Sequence, residues 1–232
     1  TCCLVCVSNI SRKMFRAIDQ VKEREAFSLV NLRGMDLKDK TLGVIGVGKI
    51  GQEVIKIAKG FEMKIIATAP KTDETLSENL GFSYVSLEDL LKNSDIITIH
   101  CPYNSSTHHL INKINIGLIK KGAYLVNTAR GGIVETEVLV QALKNGTLAG
   151  AGLDVLEEEG GMKDELELLS KKNLSEEKLK TALYGHILIN MPNVLITPHN
   201  AFNSKEALER IINTTIENIK GFVNKTPIHL AQ

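Results

Sequence analysis

The sequence predicts an α/β fold built on a doubly wound parallel sheet, and three observations carry that prediction. Short apolar runs alternate with helix-period segments along most of the chain, the pattern of strand–helix–strand units. The runs are continuous rather than alternating, as in Leu42-Gly43-Val44-Ile45 and Asp95-Ile96-Ile97-Thr98-Ile99-His100, which suits strands buried on both faces. The first run passes through Gly46-Val47-Gly48-Lys49-Ile50-Gly51 into a segment with Val54, Ile55, Ile57 and Ala58 at helical spacing, so a buried strand turns sharply into a helix.

The elements follow in order. Residues 2–26 place Leu4, Val5, Val7, Ile10, Met14, Phe15, Ile18 and Val21 at roughly helical spacing and read as one helix, with the polar run 22–25 as its solvated end. Residues 34–40 connect it to the first strand at 41–45. A second strand at 63–68 ends before Pro70, a short helix follows at 75–80, and a brief third strand lies around 82–85. Ser86 and Asp89 form a capping box for the next helix. The fourth strand, 95–100, is halted by Pro102; residues 114–120 read as a short helix before the fifth strand at 123–127. A helix at 136–145 ends on Gly146, a C′ glycine. The sixth and seventh strands are 148–155 and 194–197.

Two parts exceed a minimal nucleotide-binding fold. Residues 157–191, rich in Lys, Glu and Leu, read as a helical excursion. Residues 204–224 read as a long final helix, N-capped by Ser204, with Ala207, Leu208, Ile211, Ile212, Ile216 and Ile219 as an apolar stripe. That stripe and the one on the first helix each need a partner surface, either the sheet or a second domain.

Composition excludes several classes. With 43% hydrophobic residues and a net charge of +1, the 232-residue chain has no basic excess to suggest nucleic acid and no apolar run long enough to span a bilayer. The opening TCCLVCVSNI lacks the basic start and small-residue cleavage site of a signal peptide. The chain starts on Thr in mid-pattern, which either processing or truncation explains. Cys2, Cys3 and Cys6 could touch a metal, but no second Cys/His cluster supplies further ligands, so they read as small buried hydrophobes and no metal is expected. Cys101 looks equally structural, and with no disulfide framework a reducing cytoplasm is the default.

The chemistry falls after the strands, where a doubly wound sheet binds ligands. Gly46 permits the tight turn, Gly48 lets the backbone approach a pyrophosphate, Gly51 allows close helix–strand packing, and the helix N-terminus offers N–H groups to the phosphates. Asn127-Thr128-Ala129-Arg130-Gly131-Gly132 follows the fifth strand. Asp154 ends the sixth, with Glu157, Glu158 and Glu159 behind it, and Thr197-Pro198-His199 follows the seventh. Arg binds carboxylates bidentately and His exchanges protons near neutral pH.

The motifs GVGKIG, HCPYNSSTHHLIN, LVNTARGGIVE, GLDVLEEE and NVLITPHNAF, in that order, resemble those of the D-isomer-specific 2-hydroxyacid dehydrogenases, from about Thr1 to about Val223. GLDVLEEE, the long 157–191 segment and TPHNAF look most like the D-lactate dehydrogenase branch. The resemblance implies a Rossmann-type NAD-binding domain and hydride transfer between a nicotinamide cofactor and a small D-2-hydroxy acid or 2-oxo acid. By it, Arg130 holds the substrate carboxylate, His199 is the general acid–base, and Glu159 is its carboxylate partner, with Glu157 the rival for that role. Gly46, Gly48, Lys49, Ile50 and Gly51 match the pyrophosphate turn, Cys101, Pro102 and Thr107 the adenosine side, Thr128 and Ala129 backbone near the nicotinamide, and Asp154 the group that bonds its carboxamide. His100, His108 and His109 carry no such role and read as loop or strand-end residues. The family is usually dimeric, which implies a homodimer.

Three departures qualify the match. Where NAD-dependent members place an acid at the end of the second strand, this chain has Ala69, Pro70 and Lys71, with Asp73 late; NAD remains the expected cofactor, with NADP open. Asn203 stands where lactate-type members often have Tyr, which leaves room for a 2-oxo acid larger than pyruvate. The resemblance also expects about a hundred further residues before Thr1, a substrate half-domain. It makes 1–30 an interdomain helix with a truncated start, 31–203 the dinucleotide-binding domain, and 204–232 the helix and tail of a largely missing catalytic domain. The competing readings are a non-catalytic dinucleotide-binding regulator of the corepressor type and an incomplete cofactor-binding fragment.

Overall fold

The computed structural model describes residues 2–23, 27–157, 176–226 and 228. They cluster into two units, Thr1–Pro198 and His199–Gln232.

The first unit is a seven-stranded sheet in which every pairing is parallel. Its strands are β1 (Thr41–Ile45), β2 (Lys64–Thr68), β3 (Ser83–Tyr84), β4 (Ile96–Ile99), β5 (Ala123–Asn127), β6 (Leu148–Leu153) and β7 (Val194–Ile196). Their spatial order is β3-β2-β1-β4-β5-β6-β7, so the winding reverses between β1 and β4. That crevice is where such sheets bind ligands. The continuous apolar strands are buried on both faces as their composition requires: β4 and β5 are buried throughout.

Helices cover both faces. One carries α1 (Cys2–Ser11) and α3 (Lys49–Gly60), which contribute Cys3, Cys6, Val7, Val54, Ile55 and Ala58 to a common core with β1. The other carries α5 (Leu87–Asn93), α6 (Thr136–Lys144) and α7 (Glu176–Asn190), whose Leu90, Leu91, Leu139, Val140, Leu143 and Leu188 pack together with β4 and β5. The short α4 (Glu74–Leu80) begins at Asp73, whose Oδ1 accepts the Leu76 N–H at 2.9 Å. Ser86 caps α5 as expected, accepting the Asp89 N–H at 3.1 Å and donating to Asp89 Oδ2 at 2.7 Å. Gly146 follows α6 at φ +78°.

The structure departs from the sequence pattern in two places. The single helix expected over 2–26 is broken: Lys13 takes a left-handed conformation (φ 53°) and α2 (Met14–Lys22) starts after it. The Ser11 carbonyl accepts the Met35 N–H at 3.0 Å, and the Gly34 backbone lies flush against Ser11 and Arg12. This crossing strand of chain takes the place of another helical turn. The apolar stripe therefore divides: Leu4 and Val7 are buried, Val7 in the core shared with the sheet, contributing about 1.5–3 kcal/mol each, whereas Met14, Phe15, Ile18 and Val21 are exposed. The helix expected over 114–120 is a single 3-10 turn, Ile116–Leu118. Asn112 and Asn115 side chains bond the amides of Ile114 and Asn112 there, competing with helical hydrogen bonds.

The second unit is α8 (Lys205–Val223), capped by Ser204 accepting the Ala207 N–H at 3.2 Å. Leu208, Ile211, Ile212, Ile216 and Ile219 are exposed along it. Among the described residues no helix is long and apolar enough to cross a membrane.

Candidate active site

Strand register builds the site. Ile45 pairs with Thr68 and Ile99, Ile99 with Asn127, Asn127 with Leu153, and Leu153 with Ile196, so six strands end on one line. The residues that follow, Gly46, Ala69, His100, Thr128, Asp154 and Thr197, form one edge. Backbone bonds continue across it: Gly46 N–H to Thr68 O, His100 N–H to Ile45 O, Asp154 N–H to Asn127 O and Thr197 N–H to Leu153 O, all 2.8–3.0 Å.

At the reversal point Gly46 has φ +97°, and a Cβ there would stand 2.6 Å from the Cys101 amide nitrogen. Only glycine satisfies both constraints. Gly51 lies flush against the Gly46 carbonyl, which sets α3 tightly on β1. Gly48, the N-cap of α3, has open space where a Cβ would be, and Lys49 and Ile50 beside it are exposed. The turn thus presents the unpaired first amides of a helix toward the crevice. Cys101 packs behind the turn, and burial pushes its thiol upward in pKa. Thr107 is folded into its own loop, its hydroxyl donating to Pro102 O at 2.6 Å. At the end of β2, Ala69 is followed by exposed Pro70 and Lys71, while Asp73 is committed to capping α4.

The loop after β5 is held from beneath. Asn127, 1% exposed at the strand end, donates from Nδ2 to Arg130 O at 2.8 Å and accepts the Ala129 N–H at 3.0 Å. An amide ending a buried apolar strand must find partners, and that was the signal for its role. The exposed Arg130 guanidinium donates from Nη1 to Ala129 O at 2.7 Å, within its own loop. Asp154 is 1% exposed and accepts the Thr197 hydroxyl at 2.5 Å.

Glu157 is engaged within this unit: Oε1 lies 2.7 Å from His109 Nε2, and Oε2 accepts the Thr136 hydroxyl at 2.6 Å and its N–H at 3.3 Å. His109 is accordingly more than a loop residue, a pairing across 48 positions that no local pattern signals. Glu159 lies outside the described residues. His199 belongs to the second unit; it has φ +51° and its ring meets the edge of Phe202 at 6.1 Å. His100 is also more than a strand-end residue. Its Nε2 lies 2.9 Å from Thr98 Oγ1, which lies 2.9 Å from Cys3 Sγ, and burial pushes its imidazole down to about 4. Among the described residues no group of three His, Cys, Asp or Glu is arranged to hold a metal. A cavity of about 130 Å³ opens at the amino-terminal end of the sheet, by Ile10, Tyr124, Gly150 and Val194; its lining has no carboxylate or histidine.

Residues 4–201 match the family described as D-isomer specific 2-hydroxyacid dehydrogenase, NAD binding domain. The chain is 40% identical over 215 residues to 2-hydroxyacid dehydrogenase homolog 2 of Schizosaccharomyces pombe, covering 92% of this chain and 62% of that protein. It is 41% identical over 199 residues to the D-specific alpha-keto acid dehydrogenase of Enterococcus faecalis, covering 86% and 57%. Among solved structures, the D-lactate dehydrogenase of Aquifex aeolicus complexed with NAD and lactic acid superposes with a TM-score of 0.85 at 35% identity, over 97% of this chain and 65% of that one. The pyruvate reductase of Chlamydomonas reinhardtii gives 0.85 at 36%, over 98% and 66%. The chain thus spans about three fifths of the length of these curated relatives. With the glycine turn at the winding reversal and 198 matched positions around it, the chain belongs to the D-isomer specific 2-hydroxyacid dehydrogenase family, as its NAD-binding domain.

Proposed function

We propose that the protein carrying this chain is an oxidoreductase that interconverts a small D-2-hydroxy acid and its 2-oxo acid, of the D-lactate/pyruvate type, with NAD. The observation that carries the reading is the glycine turn at the reversal between β1 and β4, with the Arg130 loop two strands away on the same edge. A dinucleotide fits this turn: Gly46 admits no side chain, and Gly48 leaves its approach open. When bound, NAD accepts or supplies the hydride. The amides of Lys49 and Ile50 hold the pyrophosphate at the helix N-terminus, where the dipole favours an anion. Cys101, Pro102 and Thr107 flank the adenosine; Thr128, Ala129 and the buried Asp154 serve the nicotinamide side.

Arg130 exchanges its hydrogen bond to the Ala129 carbonyl for a bidentate grip on the substrate carboxylate. His199 holds the proton given to the 2-oxo oxygen in reduction and retrieves it in oxidation, with Glu159 setting its tautomer. Residues 1–30 link two domains, 31–203 bind the dinucleotide, and 204–232 belong to a substrate domain; the exposed apolar row on α8 supports that last assignment. Exposed Met14, Phe15, Ile18 and Val21 on α2 support a homodimer, and the buried cysteines Cys3, Cys6 and Cys101, which form no disulfide among the described residues, fit a reducing cytoplasm.

Pyruvate-dependent oxidation of NADH by the natural protein tests the reading. Turnover is expected, and His199→Asn should lower kcat by about 10²–10⁴-fold. NADH binding without oxidation by pyruvate or any larger 2-oxo acid would instead indicate a dinucleotide-binding protein without dehydrogenase activity.

A further inference from the structure

We propose that His109 and Glu157 form a clasp that holds the Arg130 loop in the shape that presents the arginine to an anionic carboxylate. This makes both of them positioning residues, and it rests on the role read above for Arg130.

The segment after Arg130 is gripped from two sides. On one, residues 109–111 run beside it: the His109 N–H donates to Gly132 O at 2.8 Å, the Ile111 N–H to Ile133 O at 3.2 Å, and the Glu135 N–H to Ile111 O at 2.9 Å. On the other, Gly131 lies flush against the Leu156–Glu157 backbone, with no room for a Cβ. The 2.7 Å bond between His109 Nε2 and Glu157 Oε1 joins the two sides. The second Glu157 oxygen takes the hydroxyl and N–H of Thr136, at the start of α6. Residues 131–136 are therefore enclosed by a closed ring of contacts, while Asn127 anchors Arg130 from behind.

Three features set this pair apart from an incidental surface contact. The side chains are only 30% and 16% exposed. His109 sits at φ +47°, a region L-residues rarely adopt, which persists only where surroundings over-determine it. The His108 ring stacks on His109 at 3.9 Å and bonds the Tyr103 hydroxyl at 3.0 Å, which fixes the imidazole plane. A carboxylate can only accept, so His109 Nε2 carries the shared proton. Capping α6 needs one Glu157 oxygen; the other is free to reach the far loop.

Hydrogen exchange on the purified chain, with kinetics on the natural protein, tests the clasp. Glu157→Ala and His109→Ala should each speed exchange of amides 131–136 about tenfold or more, leaving β4 and β5 protected. The double variant should be no worse than the more severe single one, because both remove one bond. Glu157→Gln, which still accepts from Thr136 and can donate to the other imidazole tautomer, should retain protection. In the natural protein Glu157→Ala should raise KM for pyruvate about tenfold with the Kd for NADH unchanged. Unchanged exchange at 131–136, additive singles, or loss of NADH affinity in step with KM would each overturn the proposal. If the wild type reduces no 2-oxo acid, the dehydrogenase reading fails, and exchange at 131–136 still decides the clasp.

Discussion

Acidification should expose a histidine that the fold keeps neutral by burial. His100 follows β4 with its ring bonded to Thr98, whose hydroxyl also meets Cys3, and burial pushes it down from the usual 6.5 to about 4. Below the unfolded value the unfolded chain takes up a proton that the folded chain refuses. Stability is therefore intact above about pH 6.5 and declines as pH falls toward 4, where the folded form also protonates and the loss levels off. A gap of about two and a half pH units at 1.36 kcal/mol each gives about 3 kcal/mol, an upper figure because the ring is not wholly enclosed. Urea denaturation of wild type and His100→Gln at several pH values measures it. The fixed offset from the substitution cancels, so the wild-type advantage should shrink by about 2–3 kcal/mol between about pH 7 and 4. Asp95 titrates in both proteins: burial raises its pKa, but the Lys120 ammonium and the Thr41 amide outweigh it and hold it low. Curves that stay parallel over this range would refute the assignment of a buried neutral imidazole.

Three further outcomes test the glycine turn and the cofactor side. Gly46→Ala meets both a positive φ and a Cβ 2.6 Å from the Cys101 nitrogen, and should cost about 2–5 kcal/mol in chemical denaturation; a loss under about 1 kcal/mol would sink the packing argument. NADH at about a hundred times its Kd should raise wild-type Tm by roughly 5–10 °C, and Gly46→Ala should abolish that rise. NADH should bind more tightly than NADPH even with Ala69 at the end of β2, and Ala69→Asp should widen the difference about tenfold through ribose hydroxyl bonding and phosphate repulsion. A tenfold wild-type preference for NADPH would overturn the choice of NAD.

Much of this was legible because it is local. Continuous apolar runs report strands buried on both faces, and the glycine spacing reports a strand–turn–helix, since each depends only on neighbouring residues. Ser86 and Ser204 announce their helices for the same reason: an N-cap bonds an amide two or three residues on. The break at Lys13 escaped the pattern, because helical periodicity runs unaltered through a point that Gly34 and Met35 interrupt from 20 or more positions away.

By itself, then, the sequence determined the order of the strands, the glycine turn between the first strand and its helix, and the polar positions after strand ends. These follow from periodicity, backbone freedom and the rule that parallel strands bind at their carboxyl ends. Only the tertiary structure decided what those residues touch. It committed Asp73 to a helix cap, gave both Glu157 oxygens to His109 and Thr136, and joined His100 to Thr98, which in turn bonds Cys3. Each of these turns on strand register and helix packing, which bring together side chains that no local rule connects.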